Sequence, residues 1–179
     1  MSDNRPARIG VLTISDRASR GEYEDISGKA INGFLERAVQ SNWVAIVRIV
    51  PDGSDSVAQA LIDMVEREGC DLILTTGGTG PAPRDQTPEA TRMVITRELA
   101  GFGELMRRVS LEQVPTAILS RQTAGTREKC LIVNLPGRPT AIEICLNAVF
   151  PAVPYCLDLI GARRIEVNPD VCAAFRPAA

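Results

Sequence analysis

A chain of 179 residues with 45% hydrophobic and only 4% aromatic content has room for one domain with an aliphatic core and little room for two. Its net charge of −2 and pI of about 5.3 argue against non-specific nucleic-acid binding, which leans on a positive surface. Histidine is absent, which excludes Ser-His-Asp and Cys-His nucleophile systems and histidine-based zinc or iron sites.

Met1 to Pro6 reads as a loose tail without an apolar signal core, followed by a single α/β domain over 7–179. Arg8 to Ser15 predicts a buried strand. A polar loop from Gly21 to Asp25 leads to a helix capped by Ser27, with Ala30, Ile31, Phe34, Leu35 and Ala38 at helical spacing. Trp43 to Val50 predicts a second strand, ended by Pro51-Asp52-Gly53. Asp55 caps the next helix, whose inner side holds Val57, Leu61, Ile62 and Val65, and Gly69 stops it. Leu72 to Thr76 is a third strand. Three glycines then fall within Gly77-Gly78-Thr79-Gly80, and Thr87-Pro88 opens a helix in the favoured cap-then-proline order. Phe102 to Glu112 predicts a helix, Thr116 to Ser120 a short strand, and Cys130 to Leu135 a strong strand ended by Pro136-Gly137. Pro139 opens a helix that Pro151 and Pro154 break or restart, and Gly161 ends the second piece. The five cysteines, Cys70, Cys130, Cys145, Cys156 and Cys172, contain no C-x-x-C pair and read as buried reduced thiols. No apolar run is expected to approach the ~20 residues that cross a bilayer. The chain is therefore read as cytoplasmic, with neither a membrane nor a nucleic acid as partner.

Strands alternating with helices predict an α/β fold, a mostly parallel sheet with helices on both faces in three layers. Ligands of such sheets bind beyond the carboxyl ends of the strands. The loops expected there are Ser15-Asp16-Arg17, Pro51-Asp52-Gly53, the glycine loop, Ser120-Arg121 and Leu135-Pro136-Gly137-Arg138. Between them they carry Arg17, Arg84, Arg121 and Arg138, and Asp16, Asp52 and Asp85. Cations together with carboxylates suit an anionic, metal-bound ligand such as a nucleoside triphosphate. Singly, each loop also reads as ordinary turn chemistry: Gly77–Gly80 as a tight turn, Pro51-Asp52-Gly53 and Pro136-Gly137 as turns, Arg84-Asp85-Thr87 as a helix-entry cluster. The glycine loop is no P-loop, since no Gly-Lys-Ser/Thr follows it.

Ile14-Ser15-Asp16-Arg17, Val50-Pro51-Asp52, the run Leu74 to Pro88, Gly101-Phe102-Gly103-Glu104, Ala117 to Arg121 and Asn134-Leu135-Pro136-Gly137 resemble the molybdopterin adenylyltransferase family of molybdenum cofactor biosynthesis. The resemblance covers roughly residues 7–160, and the ending Ala173 to Pro177 is similar to the bacterial stand-alone enzyme. The plant bifunctional enzyme and gephyrin carry similar domains. The resemblance implies a molybdopterin-binding-like α/β domain that assembles as a homotrimer and works beside the molybdate-inserting enzyme. It implies magnesium and ATP, and transfer of AMP to molybdopterin with release of pyrophosphate. By motif match, Asp52 and Asp85 take the positions of the family's essential aspartates, catalytic and metal-holding. Ser15, Asp16, Arg17, Thr76, Gly77, Gly78, Thr79, Gly80, Ser120, Arg121, Pro136 and Gly137 would contact the substrates. Two other classes stay open: a nucleotide pyrophosphatase on the same scaffold, and a non-catalytic pterin-binding or scaffolding module.

Overall fold

The computed structural model describes residues 5–178; of the tail expected over 1–6, residues 1–4 lie outside them. Ala7–Ile14 form β1, and the one-turn helix α1 (Asp16–Ser19) follows directly. Then come α2 (Ile26–Ala38), β2 (Trp43–Val50), α3 (Ser54–Glu66), β3 (Leu72–Thr76), α4 (Thr87–Val94), β4 (Arg97–Glu98) and α5 (Ala100–Leu111). A 3₁₀ turn at Pro115–Leu119 precedes β5 (Ala124–Arg127) and β6 (Cys130–Leu135), and α6 (Pro139–Val149) joins α7 (Val153–Ile160) through a second 3₁₀ turn. The six strands form one sheet in the order β2-β1-β3-β6-β5-β4. β2, β1, β3 and β6 run parallel, while β5 and β4 are antiparallel additions at one edge.

The period-2 geometry of a strand explains the layers. Ile9 and Val11 of β1, Leu72 and Leu74 of β3, and Leu131 and Val133 of β6 share one face. There they meet Ile31, Phe34 and Leu35 of α2 and Ile142, Leu146 and Leu157 of α6 and α7. The alternate residues Leu12, Ile14, Ile73 and Ile132 face α3 and α4, against Val57, Leu61, Met64, Ala90 and Val94. On this second face Gly10 lets helix and sheet close up, since a Cβ there would lie 2.5 Å from Met64 Cε.

The expected strand Thr116–Ser120 is instead the 3₁₀ turn Pro115–Leu119. Pro115 has no N–H for a ladder, and no residue of the turn is buried. On the side away from β3, β6 pairs with β5, Ala-Gly-Thr-Arg, which has no apolar run to announce it. Helix entries also differ from expectation. Asp25, not Ser27, caps α2, accepting from Gly28 N at 2.8 Å, and Ser27 Oγ donates instead to Gly137 O at 2.6 Å. Gly53 precedes α3, leaving Asp55 in its first turn. Gln86 precedes α4, so Thr87 is its first residue. Gly69 and Gly161 take the left-handed φ expected of stop residues, 63° and 71°. The segment Pro139–Ile160 corrects one expectation: within its 22 residues an 18-residue stretch reaches a mean hydropathy of 1.4, enough by length and composition for a bilayer span. Its side chains Ile142, Cys145, Leu146, Val149, Phe150, Val153 and Leu157 are core of this domain, and the 3₁₀ turn at Phe150–Ala152 interrupts it.

Candidate active site

β1 has β2 on one side and β3 on the other, while α2 and α3 cover opposite faces. That reversal makes a crevice at the carboxyl ends of β1 and β3, the place where open α/β sheets bind ligands. Here it is a cavity of about 280 Å³ lined by Thr13, Ser15, Tyr23, Asp25, Ser27, Thr76, Gly77, Gly137 and Arg138, among others. A second cavity of about 370 Å³ is lined by Thr79, Gly80, Val114, Leu119, Ser120, Pro136, Gly137 and Arg138. Gly137 and Arg138 belong to both walls, and a Cβ on Gly137 would lie 3.9 Å from Gly77 Cα. A low ridge of two glycines therefore separates the cavities.

The loop from Gly77 to Gly80 has a distinctive hydrogen-bond balance. Gly77 O accepts from Thr87 Oγ1 at 2.9 Å and Gly78 O from Thr87 N at 3.0 Å. Thr79 O accepts from Arg121 N at 2.9 Å and Gly80 O from Arg121 Nε at 3.0 Å. All four carbonyls are thus tied back by two residues. The N–H groups of Gly77, Gly78, Thr79 and Gly80 donate to nothing among the described residues. Successive unspent amides in a turn of this kind form a concavity for anions. Glycine is required at Gly77, where φ is 98° and a Cβ would stand 2.2 Å from Ile14 O. At Gly78, with φ of 64°, it would stand 2.4 Å from Thr87 Oγ1.

Asp52 and Asp85 both reach this loop. A Cβ on Gly78 would lie 3.5 Å from Asp52 Oδ1, and one on Gly80 would lie 2.8 Å from Asp85 Oδ2. Each carboxylate is anchored through one oxygen: Asp52 Oδ2 accepts from Asp16 N at 2.9 Å, and Asp85 Oδ2 from Ala82 N at 3.1 Å. The other oxygen of each accepts no hydrogen bond among the described residues. Two carboxylates with an open oxygen apiece, beside amides for phosphate, match the way magnesium is held, by one or two carboxylates plus substrate phosphates and waters. The described residues hold no cluster of three or more acidic, cysteine or histidine ligands for a metal.

Several residues expected at the substrates have other partners. Arg121 lies against the glycine loop as a strut: besides the bonds above, its guanidinium donates to Asp85 O and pairs with Glu89. Asp16 is gripped by Arg84, whose Nε and Nη2 donate to its two oxygens at 2.8 and 2.7 Å. The Arg84 guanidinium holds the Asp16 carboxyl below the usual aspartate range. Ser15 Oγ caps α1, accepting from Ala18 N at 3.2 Å. Thr76 Oγ1 donates to Pro136 O at 2.7 Å, joining the ends of β3 and β6. Ser120 Oγ donates to Gln122 Oε1 at 2.6 Å. The Arg17 guanidinium lies 5.2 Å above the Tyr23 ring. Ser120 and Arg121 still reach the expected edge although no parallel strand precedes them, because β5 is antiparallel and begins where its neighbours end.

Thr13, Tyr23, Asp25 and Ser27, absent from the residues expected at the substrates, also line the first cavity, and the polar stretch after β1 is their signal in the sequence. Arg138 stands in the sequence as a loop cation with no assigned role. Among the described residues neither the Arg17 nor the Arg138 guanidinium makes a hydrogen bond or ion pair; Arg17 lies over the Tyr23 ring, while Arg138 borders both cavities. All five cysteines are free, four of them buried. Burial pushes the Cys70 thiol up to about 12 and raises Cys130, Cys145, Cys156 and Cys172 as well, so none is activated as a nucleophile.

Known proteins resemble this chain over most of its length. A molybdopterin adenylyltransferase from Helicobacter pylori is 56% identical over 169 residues, covering 94% of this chain and 96% of the relative. One from Escherichia coli is 44% identical, covering 95% and 93%. The solved structure of the molybdopterin biosynthesis enzyme MoaB from Thermus thermophilus superposes with a TM-score of 0.78 at 46% identity, over 86% of this chain and 96% of that one. The family described as "Probable molybdopterin binding domain" matches residues 10–155, and the chain belongs to that family.

Proposed function

We propose that this protein is a molybdopterin adenylyltransferase, transferring AMP from ATP to the terminal phosphate of molybdopterin with release of pyrophosphate. The observation that carries the reading is the convergence of Asp52 and Asp85 on a glycine loop with four unspent amides, between two cavities able to take two substrates. Extended identity to relatives named for this activity supports it.

The attacking phosphate is already an anion near neutral pH, so the reaction needs no histidine base. What remains is to position two anions and to offset their charge. The glycine-loop amides receive phosphate oxygens. Arg138, bordering both cavities, offsets charge where the two substrates meet. Asp52 and Asp85 would hold magnesium, which when bound neutralises polyphosphate charge. Arg121 and Thr87 keep the loop carbonyls turned away from that charge. A homotrimer and an encounter with the molybdate-inserting enzyme belong to the same reading. The five free thiols suit a reducing cytoplasm.

The test is to mix protein, ATP, magnesium and molybdopterin and to seek the AMP adduct by mass spectrometry. Adduct and pyrophosphate should form together and stop in excess chelator. ATP cleavage at the same rate without pterin would replace this reading with a pyrophosphatase, and tight pterin binding with no adduct would replace it with a binding module.

A further inference from the structure

Arg84 ties together three loops that come from three different strands. Its Nε and Nη2 form a bidentate pair with Asp16, in the loop after β1, at 2.8 and 2.7 Å. Its Nη2 also donates to Asp52 O, in the loop after β2, at 2.8 Å. Asp16 and Asp52 exchange bonds as well: Asp16 N donates to Asp52 Oδ2 at 2.9 Å, and Asp52 N donates to Asp16 Oδ1 at 3.1 Å. The backbone N–H, the carbonyl and one carboxylate oxygen of Asp52 are therefore all held by this one assembly. Only Oδ1 is left over, and it lies toward Gly78. Arg84 is itself the residue before Asp85, so the loop that presents one carboxylate also anchors the other.

We propose that Arg84 is a positioning residue for the Asp52 carboxylate, acting through Asp16; the inference rests on the adenylyl-transfer reading. A planar guanidinium fork fixes both the distance and the orientation of a carboxylate, which an ammonium cannot do. The Arg84 side chain is 63% exposed, and exposed ion pairs contribute little to folding. Its expected contribution is therefore the placement of Asp52 rather than stability.

The experiment is a double-mutant cycle on the full chain with Arg84→Gln, Asp16→Asn and Asp52→Asn, read by adenylyl-transfer kinetics, thermal melting and calorimetric titration with magnesium and a non-hydrolysable ATP analogue. Arg84→Gln should lower kcat by about tenfold, as small misplacements of a reacting group do, with the KM for molybdopterin unchanged. Asp16→Asn should match it, and the pair should lose no more than either alone. In the Asp52→Asn background, Arg84→Gln should cost less than about twofold further, since residues acting as a unit are non-additive. Independent, multiplying losses from Arg84→Gln and Asp52→Asn would overturn the proposal, as would a kcat loss matched by loss of folded protein. If the wild type forms no adduct, the adenylyl-transfer reading fails by itself. The clamp is then read from the titrations alone, where non-additive losses of nucleotide affinity sustain it and additive losses overturn it.

Discussion

Asp16 and Asp85 illustrate two uses of one side chain in the same set of loops. Asp16 has both oxygens engaged by Arg84, whereas Asp85 is anchored at one oxygen by Ala82 N. Asp85→Asn keeps the anchor and removes the charge. Adenylyl transfer by this variant should fall by roughly tenfold or more with little change in melting temperature, a loss of transition-state stabilisation; full activity would remove Asp85 from the mechanism. Asp16 makes a pH prediction. Arg84 holds its carboxyl below the ordinary value, so the stability it contributes is complete above the ordinary aspartate range. That stability is lost as pH falls through the lowered value. A carboxyl NMR titration should place the Asp16 midpoint below that of a free aspartate in the wild type, and higher in Arg84→Gln. An unchanged midpoint would show that the pair does not persist in solution.

Helix entries are where sequence spacing and structure part. Ser27 sits at a position that a serine cap would suit, yet Asp25 takes the role because its other oxygen also accepts from Thr13 Oγ1 of β1 at 2.8 Å. One carboxylate thereby joins the start of α2 to the end of the strand under the first cavity. Asp25→Ala should cost about 1 kcal/mol in urea unfolding, the usual loss for a cap. Ser27→Ala, which removes a bond to Gly137 O, should cost less; the reverse order would restore the serine as the cap. The strands behave differently. β1, β2, β3 and β6 are legible because they are runs of aliphatic residues. β4 and β5 are not, since a two-residue strand and Ala-Gly-Thr-Arg carry no pattern and exist only through pairing with Thr126, Gly125 and β6.

At the scale of the molecule, the sheet is sandwiched between two aliphatic layers, and the few aromatics matter where they meet. Phe150 is fully buried and packs edge-on against Phe34, with ring centroids 5.2 Å apart. The pair bridges α2 and the turn between α6 and α7. Phe150→Ala should destabilise the domain by about 3–5 kcal/mol in denaturant unfolding, the range for emptying a buried aromatic site; a loss under about 1 kcal/mol would mean that the site collapses around the gap. The same segment explains why hydropathy alone misleads. Pro139–Ile160 has the length and composition of a bilayer span, but its apolar positions recur on the side that meets the sheet.

Local pattern alone determined the alternation of strands and helices, the glycine loop and the list of carboxylates and cations near the carboxyl edge, because periodicity and turn chemistry are written in neighbouring residues. The resemblance of those loops to a known family supplied the expected chemistry. Which arginine does what was decided only by tertiary structure. Arg17, Arg84, Arg121 and Arg138 are equivalent as loop cations in the sequence. The fold commits Arg84 to Asp16, Arg121 to the glycine-loop carbonyls and Arg17 to Tyr23, and leaves Arg138 at the border of both cavities. The reason is physical: a guanidinium's role depends on which acceptors lie within about 3 Å, and for Arg84 and Arg121 those acceptors come from residues 32 to 68 positions away.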